Sequence, residues 1–333
     1  MGVTIKDVAE YAETSVATVS HVINDTRYVS SELERKVKEA MEELNYRPNR
    51  LARSLKTNQT RSFGLLISDI TNPHFCHLVK GVEDIASEQN YRVVISNTNE
   101  NAEKQAAYAD LLLEEAVDAM IVAPVIGADD SIKEINTNDL SLVLVDRTVN
   151  QINANAVLSD NIDGARKATE HLINQGHEKI GIVLGLKGLT TTQERLKGYK
   201  EALENHKIPF IEKNIAYGKS RTKRAEKAIK SLLTSPNRPT ALFSTSNLMT
   251  IGAMNAIKQV GMECPKDISV VGFDDFKWAS AFKPALTTVE QNPYKMGCIA
   301  ARLALEGIEE DGGGSKEVRV ETELIVRNSV KAI

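Results

Sequence analysis

The sequence predicts a small all-α helix-turn-helix head followed by an α/β core of two doubly wound parallel-sheet subdomains. Three observations predict this. Residues 4–24, TIKDVAEYAETSVATVSHVIN, carry two short helical patterns separated by a few residues. From Ser62 onward short apolar runs recur: FGLLI, YRVVIS, AMIVA, LVLVD, KIGIVLG, ALFST and ISVVGFD. Such runs read as strands buried on both faces. Helical stretches at 76–90, 104–115, 163–175, 195–205, 221–233 and 249–260 lie between them. Strand alternating with helix gives a parallel, doubly wound sheet. One such sheet rarely takes the roughly 270 residues beyond the head, so two side by side are expected, over 62–160 and 161–290.

In the head, Ile5, Val8, Ala9 and Ala12 fall on one helical face. The second helix opens at Ser15, whose hydroxyl can accept a free backbone N–H of the first turn. It turns Val19, Val22 and Ile23 inward and leaves Thr18, Ser20, His21 and Asn24 polar. A third helix at 31–44 closes the core with Val37, Ala40, Met41 and Leu44. A short second helix with a small polar face fits the major groove, where hydroxyl, amide and imidazole groups reach base edges and phosphates. The same features would also suit a plain helical subdomain. The basic linker on its carboxyl side favours DNA.

Residues 47–60 form that linker. Pro48 favours a helix start. Leu51 and Leu55 come next at i and i+4, with Ala52 beside them. The segment is shorter than the ~12–15 residues an isolated helix needs, so it is expected to order only when packed on a partner. Leu55, flanked by Arg53 and Lys56, suits a minor-groove wedge.

Net charge does not advertise nucleic acid: the 333 residues carry 41 basic and 45 acidic side chains. The distribution is more informative. Residues 47–61 hold Arg47, Arg50, Arg53, Lys56 and Arg61 and no acid, directly after the helix-turn-helix, where phosphate neutralisation is useful. There is no cationic start leading into an apolar core, and no apolar run of membrane-spanning length. Cys76, Cys264 and Cys298 show no CxxC spacing, so a reduced, cytoplasmic chain is expected. His74-Phe75-Cys76-His77 has no accompanying ligand cluster, and no metal or cofactor is expected.

TIKDVAEYA, VATVSHVIN and YRPNRLARSLKTNQTRSFGLLI closely resemble the lactose-repressor (LacI/GalR) family, most of all its purine and ribose repressors. The order of patterns matches over nearly the whole chain. The resemblance implies a head at 1–46, a hinge at 47–60 and an effector-binding and dimerisation core at 61–333. It implies DNA contacts from Thr4, Val16, Ala17, Thr18, Ser20, His21, Asn24 and Arg27, and from Ala52, Leu55 and Lys56 of paired hinge helices. It also implies that the chain crosses back between subdomains: about 61–160 and 292–313 in the first, about 161–291 and 314–333 in the second. After Gly312-Gly313-Gly314 and the strand-like VRVETELIV there is no leucine heptad tail, so a homodimer on a palindromic double-stranded operator is expected.

In open α/β sheets ligands sit at the carboxyl ends of strands. The polar residues there are Asp69, Asn72, His74 and Phe75, then Asp146-Arg147, Arg195 after a Thr-rich loop, Ser246-Asn247, Asp274-Asp275, and Gln291 at the presumed crossover. An Asp after a strand is more often a helix cap. Together, however, the residues suit a sugar. Asp146 and Asp274 accept from hydroxyls, Arg147 and Arg195 donate, and a sugar face packs on Phe75. The set resembles ribose-binding proteins and ribose repressors at Asn72, Phe75, Asp146, Arg147, Arg195, Asp274 and Gln291. It departs from them at His74, where they carry an aromatic ring, and at Ser246, which is shorter than asparagine. The expected effector contacts are these seven residues together with His74 and Ser246.

The function read from the sequence is therefore a transcriptional repressor of a sugar-utilisation operon. A small ribose-like effector would set its hold on the operator, induction being favoured over corepression. An enzyme is disfavoured: there is no P-loop, no GxGxxG and no Ser–His–Asp order. A transport-type binding protein would not carry the DNA-reading helices. Control by a phosphocarrier protein, with the cleft secondary, remains an alternative partner reading.

Overall fold

The computed structural model describes residues 3–24, 27–47, 59–138, 140–149, 152–309 and 314–333. The chain forms two compact units, Met1–Thr60 and Arg61–Ile333.

The first unit is built from α1 (Ile5–Tyr11), α2 (Val16–Asn24) and α3 (Ser31–Glu43). The Asp7 carboxylate accepts from the Thr4 N–H at 2.7 Å and the Thr4 hydroxyl at 2.8 Å, which starts α1. Ser15 caps α2 by accepting from the Thr18 N–H at 3.1 Å. Val8, Val19, Val37 and Ala40 are fully buried between the helices, with Ile5, Val22, Ile23, Met41, Leu44 and Tyr46 packed around them. Residues 48–58, which include Ala52, Leu55 and Lys56, lie outside the described residues.

The second unit holds two six-stranded sheets. The first joins β1 (Ser62–Ile67), β2 (Arg92–Asn97), β3 (Ala119–Val122), β4 (Ser141–Val145), β5 (Asn155–Ser159) and β11 (Glu317–Val320) in the order β11-β5-β4-β3-β1-β2, all parallel. The second joins β6 (Ile180–Leu184), β7 (Ile215–Tyr217), β8 (Ala241–Ser244), β9 (Ser269–Phe273), β10 (Thr287–Glu290) and β12 (Glu323–Ile325) in the order β12-β10-β9-β8-β6-β7. Only β12 is antiparallel among the described pairings. The two sheets have the same order, so β4 matches β9, and β2 matches β7.

Helices cover both faces of each sheet, as parallel strands require. On the first, α4 (Pro73–Glu88) and α11 (Pro293–Glu309) bury one face, and α5 (Ala102–Glu114) with α6 (Asp129–Thr137) the other. On the second, α7 (Asn161–Asn174) and α8 (Thr190–Asn205) oppose α9 (Thr222–Leu233) and α10 (Asn247–Gln259).

Three features differ from the sequence reading. The chain crosses between sheets three times, after β5 at Asp160, after β10 at Gln291–Asn292, and last at Glu321–Thr322 rather than near residue 313. The expected strand VRVETELIV is thus two strands, and 317–320 belong to the first sheet, not the second. β2 is an edge strand, so it is half exposed rather than buried on both faces. The Thr-rich loop before Arg195 is the first turn of α8, whose helix starts at Thr190.

Candidate functional site

The cleft between the two sheets opens at the carboxyl ends of their strands and holds about 630 Å³ of empty space, counting the part open to solvent. The cavity proper within it is about 60 Å³. All nine expected effector contacts line it.

From the first sheet, Asn72 caps α4 by accepting from the His74 N–H at 3.0 Å, and so aims His74 and Phe75 into the cleft. Asp146 follows β4 with φ of 68°, and Asp274 follows β9 with φ of 72°. These matched positions hold both carboxylates in the left-handed region, which Asp tolerates better than most residues. Arg147 is buried and turned onto the Glu100 carboxylate, with contacts of 3.1 and 3.0 Å, while its Nε donates to Asp146 Oδ2 at 3.1 Å. Glu100 is a residue the sequence reading missed. It lies beyond the carboxyl end of β2, where the rule used for the other strands would have found it.

From the second sheet, Arg195 is fixed at three nitrogens. Nε donates to Asn161 Oδ1 at 2.8 Å, Nη1 to the Thr245 carbonyl at 2.6 Å and Nη2 to Gln291 Oε1 at 3.2 Å. Its guanidinium lies 3.9 Å from the Phe273 ring centroid. Asp274 accepts from the Asn247 N–H at 3.1 Å and from the Gln291 amide. Ser246 caps α10, accepting from the Met249 N–H at 3.4 Å. Asn161, Thr245 and Asn247 were not among the expected contacts.

His74 Nε2 lies 3.2 Å from Asp146 Oδ1 without completing a hydrogen bond, and this buried nitrogen has no other hydrogen-bond partner. Burial pushes the Asp146 carboxyl upward, but the His74 imidazole and the Arg147 and Arg195 guanidiniums outweigh it and hold the group well below the usual carboxylate range. A depressed folded-state value contributes stability that is present above the unfolded value, ~3.9, and lost as pH falls below it. The expected result is that Asp146→Asn flattens the loss of thermal stability between about pH 4 and pH 2, when compared with wild type by calorimetry. An unchanged acid slope would show that Asp146 is not held ionised by these partners.

The cleft's charges are compensated within the protein: Asp146 and Glu100 on Arg147, and Asp69 on Arg221. Burial lowers the proton affinity of Arg195, and the charges of Asp274 and Asp146 oppose that.

In the head, Val16, Ala17 and Arg27 are exposed, and Thr18, Ser20, His21 and Asn24 are half-buried on α2. Asn24 is engaged within its own helix, donating to the Ser20 carbonyl at 2.7 Å. The Thr4 hydroxyl donates to Asp7. Among the described residues, no helix is long and apolar enough to cross a membrane.

Residues 4–49 match the model of bacterial regulatory proteins of the lacI family, and residues 169–330 that of a periplasmic binding protein-like domain. A ribose operon repressor of Halalkalibacterium halodurans is 38% identical over 98% of this chain and 97% of its own. The transcriptional repressor PurR of Aliivibrio salmonicida is 35% identical over 98% of each. Among solved structures, the Lac repressor dimer bound to operator and the anti-inducer ONPF superposes with a TM-score of 0.88, at 29% identity, over 100% of both chains. A regulator from Enterococcus faecium with bound ribose gives a TM-score of 0.74, at 26% identity, covering 82% of this chain and 99% of its own.

Proposed function

The chain belongs to the LacI family of bacterial transcriptional regulators, and from that premise we propose that it represses a sugar-utilisation operon and responds to a small neutral sugar in the cleft. The chain is a DNA-binding repressor and not an enzyme, as its relatives are. The observation that carries the sugar reading is the charge inventory. Asp146 and Asp274 present acceptors beside the fixed donors of Arg195, while Arg147 and Arg221 are each ion-paired to a carboxylate. A sugar phosphate would have to displace Glu100 or Asp69 from its arginine, and that displaced carboxylate would stay in place. A polyol needs acceptors and donors together and no net charge. The ribose-bound relative and the ribose operon repressor support the same reading. Calorimetry of the full chain against a panel of pentoses, hexoses, sugar phosphates and purine bases is the test. Binding of a purine or a sugar phosphate, with no neutral sugar bound, overturns the sugar reading.

We further propose that two copies act on one palindromic operator in the cytoplasm. Two identical heads related by a two-fold axis read two half-sites. Val16, Ala17, Thr18, Ser20, His21, Asn24 and Arg27 are the proposed readers, with Thr4 on the backbone and Leu55 as the wedge between Ala52 and Lys56. Selection from a random duplex pool should return a palindrome, and its affinity should fall steeply with salt as phosphate counterions are released. A pool that yields no two-fold sequence would rule this out. Sugar contacts on both halves would favour one relative orientation of the sheets, and the operator is then released because a catabolic operon opens when its substrate appears.

A further inference from the structure

We propose that Asp69 and Arg221 form the rim of the cleft and act as a size filter that admits a free monosaccharide and excludes its glycosides. This rests on the reading of the cleft as a sugar site.

Asp69 lies just past β1 of the first sheet. Thr71 orients it, its N–H donating to Oδ1 at 3.0 Å and its hydroxyl at 2.6 Å. That leaves Oδ2 to Arg221, which stands at the start of α9 on the second half and pairs through Nη1. Arg221 Nη2 donates to Asn99 Oδ1 at 2.9 Å, which ties the same side chain to the turn after β2. The pair therefore spans the two sheets.

Exposure places the arginine end of the pair toward solvent, with Asp69, 7% exposed, on its inner side. The Arg221 side chain is 38% exposed and Asn99 is exposed, whereas His74 and Arg195 are each only 6% exposed. The opposite end is closed by the crossing strands, where Asn161 is 1% and Gln291 2% exposed.

The turns that carry the rim are held in unusual backbone. Asn99 and Glu100 have φ of 53° and 56°, and Lys219 and Ser220 have 50° and 55°. Each pair comes after the edge strand of its sheet, at matching positions. Lys and Ser seldom adopt this region, and here it delivers Arg221 to Asp69. The turn also lies directly on the end of β6: a Cβ at Gly185 would stand 2.8 Å from Ser220 Oγ. A second strut runs beneath, Asn247 Nδ2 donating to Asn72 Oδ1 at 2.8 Å.

A ligand held between Asp146, Arg195 and Asp274 thus has the paired rim on its solvent side. A free monosaccharide meets donors and acceptors in every direction. A glycoside must send its substituent out between Asp69 and Arg221, which separates the ion pair and removes the Asn99 contact.

The test is calorimetry of the full chain with D-ribose, D-xylose, D-glucose and D-galactose, each beside its phenyl β-glycoside. In wild type the preferred free sugar should bind at least about 100-fold more tightly than its glycoside. In Arg221→Ala that ratio should fall about tenfold or more, mainly because the glycoside gains. Free-sugar affinity should drop no more than about fivefold, as for an ion pair whose arginine reaches solvent. Asp69→Asn should move the ratio the same way. A merely structural role would weaken both ligands together and leave the ratio unchanged. A wild-type glycoside within about threefold of its free sugar, or an unchanged ratio in both variants, overturns the filter and leaves the sugar site standing. If no sugar and no glycoside binds wild type, the sugar reading fails, and the filter with it.

Discussion

Asp274→Asn weakens effector binding by about 100-fold or more and leaves operator affinity without effector unchanged. The carboxylate is 7% exposed and lines the cleft from the second sheet. A hydrogen bond from a ligand hydroxyl to a buried carboxylate is worth ~1.5–3 kcal/mol, and a monosaccharide can make two such bonds to one carboxylate. Asn replaces one acceptor oxygen by a donor, so one of these bonds is lost and a donor is left facing a donor. Asn is a better choice than Ala for two reasons. The backbone at 274 has φ of 72°, which Asn tolerates and Ala does not. The carboxylate also accepts from the Asn247 N–H and the Gln291 amide; Ala would leave both unpartnered, Asn only one. The measurement is operator titration by fluorescence anisotropy, with and without the sugar that calorimetry selects. Release of the variant at the wild-type sugar concentration would place the effector elsewhere.

The head and the alternation of strands and helices were legible because both rest on periodicity, which one sequence displays. The cleft was legible in its inward residues because Asp146, Asp274 and their neighbours stand at strand ends. Two things were not legible. Short strands such as β7, with three residues, carry too little pattern to separate from loops, and β12, also with three, ran together with β11 in one stretch. The partners of the cleft arginines come from distant sequence: Glu100 meets Arg147, and Asp69 meets Arg221 across 152 positions. Nothing in a linear pattern announces such pairs. Ser246 lines the cleft and serves a helix as well. Its place in the sequence suggested ligand contact, while its hydroxyl caps α10. A residue at a strand-to-helix junction serves the helix first, and a ligand finds what remains.

Gly297→Ala lowers the melting temperature by roughly 5–10 °C, although no pattern in the sequence marks this residue. The helix α11 returns to the first sheet after the crossing at Gln291–Asn292 and must lie flat on α4. It does so through two glycines. A Cβ at Gly297 would stand 2.1 Å from the Leu78 carbonyl oxygen and 3.0 Å from the Val82 nitrogen. On the facing helix, a Cβ at Gly81 would stand 2.2 Å from the Tyr294 carbonyl oxygen. These neighbours are backbone, so no side chain can rotate aside and the helices must part. The separation loosens Met296, Ala300, Ala301 and Ala304, the fully buried residues of α11. Overpacking of this kind costs about 1–3 kcal/mol, and more when backbone is the obstacle. The control is Gly314→Ala, where a Cβ meets nothing within 4 Å and the melting temperature should not move. Because Gln291 holds both Arg195 and Asp274 one residue before the crossing ends, Gly297→Ala should also weaken effector binding, whereas an equally destabilising change in the head should not. A Gly297→Ala chain that melts within about 1 °C of wild type would show that α4 and α11 can separate without cost, and that their close approach does not hold the two halves of the first subdomain together.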